Sequence, residues 1–184
     1  MRDSSKHLLC DLKQSAHYPK VTMLKRVYFE TSALLPALAY TINYYKGSVT
    51  EYLGDGVLAL FKIDEHSQSE TILEAYRCAK DCVNECREIV NDELFHRYRL
   101  PPLNIGVGLA YSKALVGLIG LEGHKHPKAF GECVFRASKI SNQHNIICVD
   151  ERLHNLWPKS ESPFHGISFT PRYVNNINAF IAPN

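Results

Sequence analysis

The segment Gly47-Ser-Val-Thr-Glu-Tyr-Leu-Gly-Asp-Gly-Val-Leu-Ala-Leu-Phe61 lies near the middle of the first half of the chain. Side chains alternate in character from position 49 to 53, which is the period of a β-strand. Gly54-Asp55-Gly56 then interrupts the pattern, and an Asp-Gly step favours a tight turn because glycine accepts positive φ. Positions 57–61 are apolar throughout and predict a buried strand. The segment therefore predicts a hairpin that presents Asp55 at its tip between two glycines.

Two roles are open for Asp55. The carboxylate can simply stabilise its own turn, as aspartates in turns often do. Its two glycine neighbours would also let a bulky anionic ligand approach it closely. The rest of the sequence decides between these readings.

Length and composition predict one globular domain over residues 1–184. The hydrophobic fraction is 45% and the charged fraction is 22%, which are ordinary values for a soluble protein. A net charge of +2 without a long basic run does not indicate nucleic-acid binding. No window resembles a membrane helix, and the first residues do not resemble a signal peptide. We therefore expect a cytoplasmic protein with reduced cysteines.

The order of predicted elements favours an α+β fold. It reads strand, helices, hairpin, helix, hairpin, helix and strand, which predicts an antiparallel-rich sheet with helices packed on one face. Cys78, Cys82 and Cys86 recur every four residues of a long predicted helix, so core packing is expected rather than a tetrahedral metal site. The predicted strands cover 7–12, 49–53, 57–61, 103–110, 114–119 and 146–149, and the predicted helices cover 23–31, 32–45, 67–95, 132–142 and 150–157.

The central hairpin resembles that of the class III nucleotidyl cyclases, the adenylate and guanylate cyclase family. That family has a glycine-rich lead-in, a base-selecting residue, two further residues and then Gly-Asp, and Gly47, Glu51 and Gly54-Asp55 occupy those places. The resemblance extends from Asp11 to about Lys139. It implies the ferredoxin-like palm of those enzymes. The chain is most similar to the bacterial pyrimidine cyclases of the Pycsar antiphage systems.

The resemblance implies a metal site at Asp11 and Asp55. In the family, one aspartate ends the first strand and the other lies in the hairpin, and the carbonyl that follows the first, here Leu12, also contacts metal. Oxygen ligands of this kind suit Mg²⁺ or Mn²⁺, and two ions can activate a hydroxyl and neutralise a leaving polyphosphate. Alone, Asp11 could equally be a strand-terminal or capping residue. The family's phosphate-binding turn is replaced here by Lys13-Gln14-Ser15-Ala16.

A second pair of residues predicts base selection. Glu51 lies where adenylate cyclases carry lysine and guanylate cyclases carry glutamate, and Lys128 takes the partner position. A carboxylate accepts a hydrogen bond and an ammonium donates one, whereas guanine and uracil present a ring N–H beside a carbonyl. The pair therefore favours GTP or UTP over ATP, and cytosine fits less well because its N3 is an acceptor. An ordinary surface salt bridge is the alternative.

Three basic residues are candidates for binding phosphate or the charged transition state. Lys113 lies in the segment 106–120, which resembles the family's second hairpin, and it would sit at the turn as a phosphate ligand or as a solvated lysine. Further on, Phe135 and Lys139 replace the family's ribose-orienting asparagine and its catalytic arginine. Lys139 keeps the charge but loses the guanidinium fork. Arg136, beside Phe135, is a second catalytic candidate.

Together these residues predict a uridylate cyclase that converts UTP into 3′,5′-cyclic UMP and pyrophosphate with two Mg²⁺ or Mn²⁺ ions. The resemblance implies a head-to-tail homodimer with composite sites and a messenger role in antiphage defence. No nucleic-acid or membrane partner is expected. Two alternatives stay open, a guanylate cyclase and a catalytically inactive cyclase-like domain, which the replacement by Phe135 would favour.

Overall fold

The structure is a computed structural model that describes the backbone of residues 6–14 and 23–184 apart from residue 65, and side chains from residue 24 onward. In chain order the elements are β1 (Lys6–Gln14), α1 (Met23–Tyr44), β2 (Ser48–Leu53), β3 (Gly56–Ile63), α2 (Gln68–Asp81), a π-helical segment (Cys82–Cys86), α3 (Arg87–Tyr98), β4 (Ile105–Leu121), β5 (His124–Gly131), α4 (Glu132–Ile140), β6 (Ile147–Asp150), α5 (Glu151–Leu156), β7 (Thr170–Val174) and β8 (Ile177–Ala182).

One mixed sheet organises these elements. Its strand order is β2-β3-β1-β4-β6-β8-β7, and β5 pairs with the distal half of β4 outside that path. All described pairings are antiparallel except β4 with β6. The predicted α+β class with an antiparallel-rich sheet is therefore confirmed. Within the described residues, none of the helices has the length and apolar character that a membrane crossing requires.

The central hairpin is present as predicted. The two strands β2 and β3 are joined by Gly54-Asp55. The positive φ of this turn, +63°, falls on Gly54, whereas the Asp-Gly step had suggested Gly56, which already belongs to β3. Glycine at the first central position of a two-residue loop is typical of a type II′ hairpin, whose twist matches that of its strands.

The two faces of the sheet are covered differently. Successive side chains of a strand point to opposite faces, so Val57, Ala59 and Phe61 of β3 join the main core while Leu58 and Leu60 join a second cluster. Helices α1, α2 and α3 and the π-helical segment pack over the main core. Helix α4 packs over the second cluster, so the expected placement of all helices on one face was wrong.

Helix α1 is continuous, although two helices had been predicted at 23–31 and 32–45. Pro36 lies inside it rather than in a first turn. Proline removes the hydrogen bond to the carbonyl of Ser32. Ser32 and Pro36 are both exposed, so this carbonyl lies on the solvent side of the helix, where its missing partner costs little.

The long predicted helix is confirmed, and it contains a feature that the apolar pattern did not predict. Helices α2 and α3 are joined without a break by the π-helical segment. Cys78 and Cys82 are completely buried and Cys86 is 7% exposed, all within the main core. The core-packing prediction for these three thiols is therefore confirmed. The helix ends at Arg99, which adopts the left-handed conformation.

Strand β4 corrects the prediction of two strands around a turn at 111–113. It is one strand of 17 residues. Its first half pairs with β1 and its second half pairs with β5. The partner strand therefore changes near Lys113 and Ala114, and β4 itself continues without a break. The actual turn lies at Glu122-Gly123, where Gly123 has a φ of +82°. The expected loop over 121–128 is largely β5, and β4 and β5 form a projecting hairpin.

The C-terminal hairpin of β7 and β8 is not among the strands predicted from the sequence. Its turn is Asn175-Asn176, and both residues have positive φ. Two residues of this type between Tyr173-Val174 and Ile177 are the signal of a type I′ turn. That signal was present in the sequence.

Candidate functional site

The structure places β1 beside β3. Asp11 pairs with Leu58, Leu12 with Val57 and Lys13 with Gly56. The end of β1 that carries Asp11 therefore runs alongside the hairpin tip that carries Asp55. The side chains of Asp11 and Leu12 are outside the described part of the structure, so their role as metal ligands stays a prediction.

The turn expected at 13–16 does not begin at Lys13. Strand β1 continues through Lys13 and Gln14, because both residues keep pairing with β4. Ser15 and Ala16 lie outside the described residues. Lys13 and Gln14 are therefore strand residues and do not form the turn that was expected at 13–16.

The surroundings of Asp55 leave space for a ligand. Its side chain is partly exposed. A side chain built on the neighbouring Gly54 would have no atom within 4 Å. Among the described side chains, no cation forms an ion pair with Asp55. The hairpin tip thus presents an accessible carboxylate.

The two predicted base-selecting residues come together in one chain. Lys128 of β5 donates to Glu51 of β2, with 2.5 Å between Nζ and Oε2. The carboxylate side chain is 15% exposed and the lysine side chain is 42% exposed. The pair is therefore a partly buried acceptor and donor placed side by side, 77 residues apart in sequence.

A β-bulge sets the position of Glu51. The register with β3 shifts by one residue between Val49 and Glu51. The extra residue, Thr50, is buried and its hydroxyl donates to the carbonyl of Leu58 at 3.1 Å. Bulges of this kind redirect neighbouring side chains and are common beside active sites. The simple alternation that predicted β2 did not reveal Thr50 as a positioning residue for Glu51.

Lys113 lies away from the hairpin tip. It pairs with Lys6, whereas Lys13 at the other end of β1 pairs with Gly56. Lys6 and Lys13 are seven residue steps apart along β1, which corresponds to about 23 Å. Lys113 instead lines a cleft with Arg152 and Glu132. The prediction that Lys113 occupies a turn is wrong, and the structure does not bring it to Asp55 within one chain.

Helix α4 separates the two catalytic candidates. Phe135 and Lys139 are one turn apart on its outer side, and the lysine Nζ lies 5.5 Å from the centroid of the exposed phenyl ring. Arg136 points elsewhere, because its Nε donates to Oδ2 of the fully buried Asp150 at 2.7 Å. This geometry favours a structural role for Arg136. The catalytic role of Lys139 stays a prediction.

Asp150 is the partner of Arg136 that sequence reasoning missed. Its Oδ1 accepts hydrogen bonds from the backbone N–H groups of Leu153 at 2.9 Å and Tyr111 at 3.3 Å. Burial raises the pKa of this carboxyl, and the hydrogen bonds and Arg136 oppose that shift. Asp150 caps α5 and ties it to α4 and β4. The signal for the cap, an aspartate at the start of the predicted helix 150–157, was in the sequence.

Solved structures of cyclases are similar to this chain over nearly its whole length. The crystal structure of a guanylyl cyclase matches with a TM-score of 0.78 at 18% identity, over 96% of this chain and 91% of that chain. The adenylyl cyclase CyaB from P. aeruginosa matches with a TM-score of 0.76 at 13% identity, over 98% and 94%. The fold is that of the adenylyl and guanylyl cyclase catalytic domains. The expected cyclase fold is thereby confirmed.

Further matches to the cyclase fold agree with this result. The guanylate cyclase domain of RhGC from Catenaria anguillulae, solved in complex with GTP, matches with a TM-score of 0.69 at 13% identity, over 100% of this chain and 98% of that one. In sequence, the terminal-differentiation-specific adenylate cyclase of Dictyostelium discoideum is 26% identical over 93 residues, which are 50% of this chain. The chain spans 4% of that relative's length. No protein-family model matches the chain.

Proposed function

We propose that the chain is a nucleotidyl cyclase that converts UTP into 3′,5′-cyclic UMP and pyrophosphate. The observation that carries this proposal is the ion pair of Glu51 and Lys128. Uracil presents a ring N–H that the carboxylate can accept and a neighbouring carbonyl that the ammonium can bind. Adenine presents an amino donor beside a ring acceptor, so it would leave partly buried polar groups unpaired at a cost of about 1–3 kcal/mol each.

The donor set at the hairpin end fits a hard divalent cation. Asp11, Asp55 and the carbonyl of Leu12 would hold Mg²⁺ or Mn²⁺, since carboxylate and carbonyl oxygens are the ligands that these ions prefer. When bound, such ions supply positive charge that favours an ionised ribose hydroxyl and a leaving pyrophosphate. The accessible carboxylate of Asp55 and the open space beside Gly54 support this assignment.

The protein's own residues would orient the nucleotide for ring closure. Glu51 and Lys128 would fix the base, and Lys139 would place its charge near the phosphates. The 3′ oxygen then attacks the α-phosphorus, the bond to the bridging oxygen breaks, and pyrophosphate leaves with the bonding electrons. The hydroxyl proton is released to solvent. Lys139 is supported by its exposure on α4 and by the cation–π contact with Phe135, which restrains it.

A head-to-tail homodimer with composite sites is part of this proposal. The projecting hairpin of β4 and β5 exposes several large apolar side chains, which a second copy of the chain would cover. One protomer would supply the aspartates and the other would supply Glu51 and Lys128. The exposed apolar residues are Leu115, Leu118, Ile119, Leu121 and Phe130.

Substrate choice is tested by incubating the purified chain with Mn²⁺ and each of the four common nucleoside triphosphates in turn. We expect cyclic UMP as the main product. Cyclic GMP as the main product would show that GTP is the substrate instead of UTP. Guanine presents the same edge of a ring N–H beside a carbonyl. No cyclic product from any nucleotide would favour an inactive cyclase-like domain. A role in antiphage defence stays a prediction from the family resemblance.

The composite site is tested by mixing two inactive variants. Asp55→Ala removes the metal side of the site and Glu51→Lys removes the base side. Mixed head-to-tail dimers contain one site with both defects and one site with none, so activity should return to about a quarter of the wild-type value. Sites formed within single chains would stay inactive in the mixture. Circular dichroism of each variant controls for folding.

A further inference from the structure

A groove of about 620 Å³ lies between the second half of α1 and the π-helical segment. It is on the side of the sheet that α1, α2 and α3 cover. It has no part in the proposed cyclase site, which is formed by the strand ends and α4. Its walls combine aromatic rings with carboxylates. The residues that define it are Tyr40, Tyr44, Tyr45, Asp81, Glu85 and Ile89.

The charge of the groove is negative and uncompensated. Among the residues that the structure describes, Asp81 and Glu85 are the charged ones that line the groove, and no lysine or arginine lines it. Among the described residues, Glu85 forms no ion pair. The Tyr45 hydroxyl donates to Oδ2 of Asp81 at 2.5 Å. This hydrogen bond raises the pKa of Tyr45, so the phenol keeps its proton.

Aromatic rings form the opposite wall. Tyr40 and Tyr44 are 74% and 71% exposed, which is unusual for side chains of this size. The ring of Tyr44 meets that of Tyr45 edge to face, with centroids 5.1 Å apart. Faces of tyrosine rings attract organic cations, and this attraction adds to that of nearby carboxylates.

The helix is irregular at the groove. The π-helical segment contains Glu85 and follows directly after Asp81. Single π-helical turns inside α-helices are rare and occur frequently at functional sites. Asp81 and Glu85 both line the groove, so their carboxylates face the same space. Two positive charges joined by a short apolar chain would match this arrangement.

We propose that this groove binds an aliphatic diamine or polyamine. Its ammonium groups would pair with Asp81 and Glu85, and its methylene chain would lie between the ring of Tyr44 and the apolar side chain of Ile89. A bare divalent cation fits less well, because only two of the lining residues are carboxylates, the tyrosine phenols are neutral, and Ile89 offers no oxygen ligand. The groove therefore has the chemistry of an organic cation site.

The test is isothermal titration of the full chain with putrescine, with spermidine and with MgCl₂ at the same ionic strength. We expect saturable binding of the amines. Any heat from MgCl₂ would come from the proposed metal site at Asp11 and Asp55, so it should be the same for the wild type and for Glu85→Gln. Glu85→Gln and Tyr44→Ala should each weaken amine binding about tenfold, since each removes one charged or aromatic partner. Both side chains are exposed, so neither change should disturb folding.

Two matched control variants make the result decisive. Glu88→Gln removes the same charge from the neighbouring helix, and Tyr28→Ala removes an exposed ring from α1 outside the groove. Both should bind the amines as the wild type does. The proposal is overturned if the amines do not bind at millimolar concentration, or if the control variants lose as much affinity as the groove variants. Because only binding is measured, the outcome is independent of any cyclase activity.

Discussion

The two faces of the sheet differ in the size of the side chains that cover them. On the face under α1, α2 and α3, large apolar residues such as Leu34, Leu38 and Phe61 are at most 1% exposed. On the face under α4, the buried residues are mainly small, including Ala110 and Ala137. The first face is a thick core, whereas the second lets a helix approach the strands closely.

The candidate site residues and the large residues of the main core lie in different parts of the sheet. Glu51 pairs with Leu58, which belongs to the cluster under α4, and Phe135 and Lys139 lie on α4 itself. Among the described side chains, the large-residue core includes none of the residues assigned to the cyclase site. We therefore expect changes on the large-residue face to alter the free energy of unfolding, and changes beside the small-residue face to alter substrate use.

The largest expected effect is on the large-residue face. Leu38→Ala should lower the free energy of unfolding by about 2–5 kcal/mol, because it removes a completely buried side chain and leaves a cavity. Chemical denaturation measures the loss. Leu24→Ala in the same helix is the control, since Leu24 is 87% exposed and should change stability by less than about 0.5 kcal/mol. Equal losses would contradict the assignment of the core.

A smaller loss is expected where α4 approaches β4. A Cβ at Gly108 would lie 2.3 Å from the carbonyl oxygen of Ala137, so Gly108→Ala should force the helix outward and cost about 1–3 kcal/mol. Gly117→Ala is the matched control in the same strand, because a Cβ there would have no atom within 4 Å. Thermal unfolding compares the two. If Gly108→Ala is neutral, α4 does not pack as closely as described.

A change at the base-selecting pair should affect specificity more than stability. Glu51→Gln keeps the shape but replaces an acceptor with a group that can also donate. The preference for UTP over ATP should fall about tenfold, which corresponds to about 1.4 kcal/mol. Turnover with each nucleotide measures it. Glu122→Gln at the exposed tip of the projecting hairpin is the control and should leave the preference unchanged.

The smallest expected effect is a pH dependence of stability on the large-residue face. His154 stacks on Phe180 with ring centroids 3.7 Å apart, and burial together with Lys159 lowers its pKa. A lowered pKa means that the fold favours the neutral ring. This stabilisation is present above the ordinary value of 6.5 and is lost as the pH falls through the lowered pKa.

Replacing His154 should remove that pH dependence. The unfolding temperature of the wild type should fall by a few degrees on moving from neutral to mildly acidic buffer, and His154→Phe should fall less. His66→Phe, at an exposed position, should behave as the wild type does. Identical pH profiles for all three proteins would show that the protonation of His154 is not coupled to unfolding.

Local chemistry in the sequence was enough to predict several elements and one site feature. The hairpin around Asp55 follows from alternation and a glycine turn, both of which act over a few neighbouring residues. The burial of Cys78, Cys82 and Cys86 follows from helical spacing. The α+β order followed from the same short-range patterns, and the structural matches to cyclases confirm it.

Long-range pairing decided the remainder. Strand β4 continues through Lys113 without a break, because β1 pairs with its first half and β5 pairs with its second half. No local pattern encodes this change of partner. Arg136 is held by Asp150, and Glu51 meets Lys128 because β5 returns beside β2. The sequence by itself determined local features such as the hairpin around Asp55 and the long helix with its buried cysteines, since these depend on neighbouring residues. Only the tertiary structure decided which charges meet, because those contacts depend on strand register and on a bulge that one sequence does not reveal.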